Sequence, residues 1–161
     1  MKNYKITNNY LSTKHLNTLN KVVLSNNFPW FIQEIDESFP EYKQFVHIFF
    51  KDNHFASPHV SIIKPFLKKI LYKKLIRIKI NLLTQTNKII DHPYHIDSNI
   101  KNSMTSIFYL NTNNGYTKIK NKDKIISKKN TLLTFPSSWA HHGTTCTNKE
   151  YRIVLNIVYE R

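Results

Sequence analysis

The sequence predicts a mostly β chain: a jelly-roll barrel with helices packed outside it. Three observations carry this. From Leu75 onward the apolar residues take a period of two, with Ile76, Ile78, Ile80 and Leu82 alternating with Arg77, Lys79 and Asn81, the pattern of a strand with one buried face. Further short β-prone runs follow at 105–111, 116–120, 124–126, 131–135 and 151–159, and many short strands separated by turns favour a sandwich or barrel. Before residue 75 the spacing is mixed and partly helical, which places the helices outside the β half.

In chain order, Leu16, Leu19, Val22 and Val23 recur at helical spacing behind Ser12, whose hydroxyl suits an N-cap. Residues 28–35 form a short strand behind Asn26-Asn27, and 45–50 is another apolar run. Ser57-Pro58 reads as a cap followed by a first-turn proline. Val60, Ile63, Leu67, Ile70 and Leu71 continue at helical spacing, with Lys68, Lys69, Lys73 and Lys74 as the solvated face. Pro65 interrupts that pattern, so a kink or two abutting helices are expected there. There is no internal repeat and no linker rich in Pro, Gly or Ser. The chain is expected to be one domain over residues 1–161, with 1–74 a helical or mixed support region and 75–161 the β core.

Composition narrows the function classes. With 40% hydrophobic and 21% charged residues the chain has globular, not disordered, composition. The net charge of +14 is almost all lysine, with arginine only at 77, 152 and 161. A basic surface admits a nucleic-acid partner. The lysines are scattered, however, and the abundance of Lys, Asn and Ile matches an AT-rich codon bias, so a solvated surface is favoured. A basic nucleic-acid-binding module without turnover is kept as the alternative. Cys146 is the only cysteine, so no intrachain disulfide forms. No run resembles a signal peptide or a membrane span of roughly 20 apolar residues, and the expectation is a soluble cytoplasmic protein without a membrane partner. Nothing in the pattern specifies an oligomeric state.

The chemistry-bearing residues are His95, Asp97, a later histidine and Arg152. Two positions apart on an extended strand, His95 and Asp97 point to one face. With a third ligand from His141 or His142 they would make two imidazoles and one carboxylate on one side of an ion, the facial triad of non-heme Fe(II) sites with open positions. Arg152 opens a strongly apolar strand, where its guanidinium needs a buried anion. The competing reading is zinc held by His92 and His95 with Cys146 or His142. His54 and His59 are read as surface or loop residues. Trp139 is a candidate wall of the site, and Gly143 a point of backbone freedom beside it.

Two runs carry a resemblance: HPYHIDSNIKNSMTSIFYLNTNNGYTKI from His92 to Ile119, and FPSSWAHHGTTCTNKEYRIVLNIVY from Phe135 to Tyr159, preceded by LIRIKINLL from Leu75. In order and spacing they resemble the Fe(II)- and 2-oxoglutarate-dependent dioxygenases, nearest the small prolyl-hydroxylase-like branch of viruses and marine bacteria. The resemblance implies a double-stranded β-helix and metal ligation by His95, Asp97 and His141. It selects His141 over His142 because the ligand stands just before a residue-Gly pair, eleven positions ahead of the arginine. It further implies that Arg152 grips the distal carboxylate of 2-oxoglutarate with help from Tyr109, and that O2 is consumed while succinate and CO2 form. No catalytic residue beyond the metal ligands is implied. Relatives often place an aromatic hydroxyl on the strand before the first motif; here that region has Leu82 and Leu83, and Asn81 is the polar contact offered to the keto acid instead. A cupin-like metalloprotein that does not use 2-oxoglutarate is the third reading. Substrates from peptidyl proline to a small metabolite all stay open.

Overall fold

The computed structural model describes residues 4–35 and 42–161. In chain order the elements are β1 (Lys5–Asn8), α1 (Thr13–Val23), β2 (Phe31–Glu34), β3 (Lys43–Lys51), β4 (His54–Phe55), a 3-10 turn (Val60–Ile62), α2 (Lys64–Leu67), β5 (Lys74–Thr84), β6 (Ser103–Tyr109), β7 (Tyr116–Ile119), β8 (Lys124–Ile126), β9 (Thr131–Pro136), β10 (His141–Gly143) and β11 (Tyr151–Glu160). The major sheet runs β1-β9-β6-β11-β5-β3-β2, with β4 paired to β3, and the minor sheet runs β10-β7-β8. Every strand pair is antiparallel. This is the expected mostly β jelly roll. Among the described residues no helix is long and apolar enough to cross a membrane.

Strand periodicity decides what each face of the major sheet does. On β11 the odd residues Ile153, Leu155, Ile157 and Tyr159 join the larger core, together with Leu75, Ile78 and Ile80 of β5 and Phe108 of β6. That core is closed by Leu16, Leu19 and Val23 of α1 and by Ile63 and Phe66. The opposite face looks inward between the sheets. There Ile107 and Tyr109 of β6, Leu133 and Phe135 of β9, Val154 of β11 and Ile119 and Ile125 of the minor sheet form a smaller core. β11 is buried on both faces from Arg152 to Tyr159, because it lies between β6 and β5 with helices on one side and the minor sheet on the other. This explains why its sequence is an almost unbroken apolar run.

The first 74 residues carry more strand than their spacing suggests. β1 pairs with β9, and β3 lies between β5 and β2. β1 is short and mostly exposed, so it has no apolar alternation to announce it. The Ser12 cap stands as expected, its hydroxyl accepting from the His15 amide at 3.4 Å. Of the kink or the two abutting helices expected at Pro65, the structure has two abutting pieces, the 3-10 turn and one turn of α2, both shorter than the spacing suggests, with Pro65 at the start of the latter. Proline suits that position because it needs no amide donor there. Ser57 caps only a local turn, accepting from the His59 amide at 3.0 Å, and Leu71 is 83% exposed rather than core. Lys74 opens β5, and the Lys73 amide bonds to the Glu160 carbonyl, so neither lies on a helix face.

Leu155 is fully buried in the larger core at the centre of the major sheet. Leu155→Ala is expected to destabilise the fold by about 3 kcal/mol or more through lost burial and an unfilled cavity, read as a lower urea midpoint with an unchanged slope.

Candidate metal centre

Two backbone segments bring the site together. The chain between β5 and β6 forms no ladder and pairs through three isolated bridges, Gln85 to Cys146, Asp91 to Thr144 and His95 to His141. His95 and His141 exchange both backbone hydrogen bonds at 2.9 Å, so the two histidines stand directly opposite each other. Their ring centroids are 4.5 Å apart. The Asp97 amide donates to the Ser137 carbonyl at 3.1 Å, fixing the next residue of the motif against the start of the β9–β10 connection. His95 is therefore a bridge residue rather than part of a laddered strand, yet its extended backbone keeps it near Asp97.

His95, Asp97 and His141 each offer a donor atom, and these atoms lie within 4.8 Å of one another. They are the one such group among the described residues. His141 Nε2 is 3.5 Å from Asp97 Oδ2. His141 Nδ1 is bonded to the Trp139 carbonyl at 3.0 Å. A carbonyl can only accept, so Nδ1 carries a proton and Nε2 is the ring nitrogen turned toward Asp97. His95 Nδ1 faces the Pro93 carbonyl in the same sense at 3.5 Å. Crowding by the surrounding protein, then the neighbouring His141, hold the His95 pKa below the ordinary imidazole value, so the ring is neutral and a competent ligand.

Asp97 is the most restrained member, with its side chain 1% exposed. Arg77 donates to Oδ1 at 2.5 Å, while Thr105 Oγ1 at 2.8 Å and Asn156 Nδ2 at 3.3 Å donate to Oδ2. Burial would raise its pKa, but His141, Arg77 and His95 outweigh burial and keep the carboxyl below its usual range. Two imidazoles and one carboxylate on one side of a concavity fit a divalent metal with open positions.

The concavity has a volume of about 680 Å³ including its mouth. One wall is the inward face of β5 (Lys79, Asn81, Leu83) and another that of β11 (Arg152, Val154, Asn156). Arg152 is 2% exposed. Its Nε donates to Ser127 Oγ at 2.8 Å and its Nη2 to Thr117 Oγ1 at 3.2 Å, and its guanidinium carbon lies 5.8 Å from the centre of the Tyr109 ring. Among the described residues no carboxylate pairs with it. Burial holds its pKa below the ordinary value. A buried cation bonded only to hydroxyls is destabilising until an anion joins it. The fully buried Tyr109 hydroxyl stands beside Thr117 at a geometry short of a hydrogen bond, and Asn81 Oδ1 is buried without a partner. The Arg152 guanidinium and the Tyr109 hydroxyl can each donate to a bound carboxylate, whereas Asn81 Oδ1 can only accept and takes a donor instead.

The structure thus brings His95, Asp97 and His141 together and sets Arg152 and Asn81 on the wall of the same cavity, with Tyr109 buried in the smaller core behind Arg152. His142, next on β10, faces the other way: its Nδ1 bonds to the Gly143 carbonyl and its ring packs edge-on against Tyr94 at 4.6 Å. The alternative zinc set of His92 and His95 with Cys146 or His142 does not converge among the described residues, and Cys146 donates to the Lys149 carbonyl at 3.3 Å. Trp139 is not part of the wall; it packs on the smaller core under Lys122 and contributes its carbonyl to His141. Asn111 lies beyond the end of β6 and bonds to the backbone of Tyr151 and Ile153, so it does not share the inward face of Thr105, Ile107 and Tyr109. Sequence reasoning missed Arg77, Asn156 and Lys79. The available signal was arginine itself: in a chain whose cations are nearly all lysine, two of three arginines serve this site.

Two outcomes follow from this geometry. His92 lines the cavity, and burial, then Arg152 and His142, press its pKa from 6.5 down to about 4. Between those values the unfolded chain binds a proton that the native chain refuses. Stability of the metal-free protein is therefore full above pH 6.5 and falls as pH drops toward 4, by up to about 3 kcal/mol; urea titrations in EDTA measure this, and His92→Gln is expected to flatten the slope. A Cβ on Gly115 would lie 2.6 Å from both Arg152 Cδ and the Thr145 carbonyl, whereas one on Gly143 would meet Arg152 Nη1 at 3.4 Å. Gly115→Ala is expected to lower stability by about 1–3 kcal/mol through overpacking and Gly143→Ala much less, compared by thermal melting.

No protein-family model and no curated protein sequence matches the chain, but solved structures do. An oxidoreductase of the 2OG-Fe(II) oxygenase family from Burkholderia pseudomallei superposes with a TM-score of 0.70 at 12% identity, over 99% of this chain and 86% of that one. A Trichoplax adhaerens prolyl hydroxylase, solved with a hypoxia inducible factor peptide, gives 0.69 at 13% identity, over 99% and 84%. A viral collagen prolyl hydroxylase from Paramecium bursaria Chlorella virus-1 gives 0.60 at 15% identity, over 99% and 90%. The described chain therefore has the jelly-roll fold of the 2-oxoglutarate and Fe(II) oxygenases.

Proposed function

We propose that this chain is an Fe(II)- and 2-oxoglutarate-dependent dioxygenase that hydroxylates its substrate with succinate and CO2 as co-products. The observation that carries the reading is the coexistence, in one cavity, of the His95–Asp97–His141 donor group and a buried Arg152 that lacks an anion. His95, Asp97 and His141 would hold Fe(II). Arg152 would take the distal carboxylate of 2-oxoglutarate as a bidentate partner, with the Tyr109 hydroxyl beside it and Asn81 toward the keto-acid end. The unpaired Arg152 also favours this reading over a cupin-like metalloprotein that does not use 2-oxoglutarate. Once bound, iron, 2-oxoglutarate and O2 together supply the oxidising power for C–H hydroxylation.

The chain's own contribution is geometric and electrostatic. The Trp139 carbonyl fixes the His141 tautomer. Arg77, Thr105 and Asn156 hold the Asp97 carboxylate ionised and oriented. The buried inward residues Ile107 and Val154 keep water from the space between Arg152 and the triad. Peptidyl proline is one candidate substrate, taken from the prolyl hydroxylases that share the fold.

The test is binding followed by turnover. Mn(II) with 2-oxoglutarate is expected to raise the melting temperature, and Fe(II) with 2-oxoglutarate and O2 to yield succinate. His95→Ala is expected to abolish metal binding and succinate together. Arg152→Lys should keep the metal while weakening 2-oxoglutarate binding by about ten- to a hundredfold, as a point charge replaces a planar fork. Metal binding with no thermal response to 2-oxoglutarate would overturn the reading.

A further inference from the structure

Lys79 is the cation of the cavity that the chemistry above leaves unused. It stands on the inward face of β5 and lines the same space as the triad. Among the described residues it makes no ion pair and no side-chain hydrogen bond; the one acid that acts on it is Asp97, already held by Arg77 at 2.5 Å. Sheet register separates it from the end where Arg152 lies. On β11, Arg152 is opposite Leu83 and Asn156 is opposite Lys79, and four residues of strand span about 13 Å. Lys79 therefore belongs to the metal end, opposite Asn156. A carboxylate gripped by Arg152 does not serve it.

Charge balance points the same way. Among the described residues, Arg77, Lys79, Arg152 and a divalent metal face one carboxylate, Asp97, and a dianionic co-substrate still leaves that set positive. Burial, then repulsion from Arg77, bring the Lys79 pKa down to about 8, with Asp97 opposing; a second anion beside it would relieve that strain. Outside the cavity, Lys120 and Lys122 lie over Tyr94 and Trp139, at 5.9 and 4.2 Å from the ring centres, close in sequence to His95 and His141. This adds positive potential that would steer an acidic molecule.

We propose that Lys79 is the counter-ion of an anionic group, a carboxylate or a phosphate, carried by the substrate. The inference rests on the oxygenase reading and narrows its substrates to acidic molecules. The test uses the full chain loaded with Mn(II) and 2-oxoglutarate, with acetate and inorganic phosphate as probes followed by Mn(II)-induced nuclear relaxation. At least one probe is expected to bind saturably near the metal, and the tighter of the two names the group. Lys79→Met should weaken that probe by about tenfold or more, Lys79→Arg should retain it, and 2-oxoglutarate affinity should hold in both variants. Probe binding unchanged in Lys79→Met, or no probe bound by the wild type, overturns the proposal alone. So does a loss confined to 2-oxoglutarate, which would make Lys79 a co-substrate contact. A wild-type chain that binds neither Mn(II) nor 2-oxoglutarate overturns the oxygenase reading, and this proposal falls with it.

Discussion

The reciprocal backbone pair between His95 and His141 is the constraint on which the site depends. It joins a connection with little regular structure, the run between β5 and β6, to the short strand β10. Remove it and His95 loses the register that sets its ring 4.5 Å from that of His141. The Asp97 amide bond to Ser137 continues the same seam two residues on. Three side chains from two distant segments are thus held by main-chain hydrogen bonds. A site assembled this way loses little conformational entropy when a ligand arrives.

Around that seam the interior is unusually cationic for a protein core. Asp97 is matched by Arg77, but Arg152 and Lys79 are not matched by any described carboxylate. Arg152 is buried and Lys79 half-buried, and a buried cation without an anion lowers stability. The major sheet makes this arrangement tolerable because its other face is apolar. The odd positions of β11 and their neighbours on β5 and β6 pack against α1 and Phe66 in the larger core, so stabilisation and chemistry are divided between two sides of the same strands.

Only part of this was legible in the sequence. The strands from 75 onward were readable because alternation of Ile with Arg, Lys and Asn has a physical period of two. The metal-type residues were readable because His-x-Asp on extended backbone offers two ligands at once. β1 was not, as a four-residue exposed edge strand carries no hydrophobic signature. The run after Ser57 mimicked a helix because Val60, Ile63, Leu67 and Ile70 recur at helical spacing, while Pro58 and Pro65 in fact break it into single turns. His141 and His142 were equivalent by composition alone. The alternation along β10 separates them, turning one toward Asp97 and the other toward Tyr94.

By itself the sequence determined which residues are capable of this chemistry and that a β jelly roll would carry them, since residue type and hydrophobic period are local properties of the chain. Tertiary structure alone decided which polar faces look inward. The alternating side of β5 with Arg77, Lys79 and Asn81 reads the same whether it meets water or a cavity, because period two reports a change of face and not what lies beyond it. Only the packing of the minor sheet over that face turned it into the wall of a cavity.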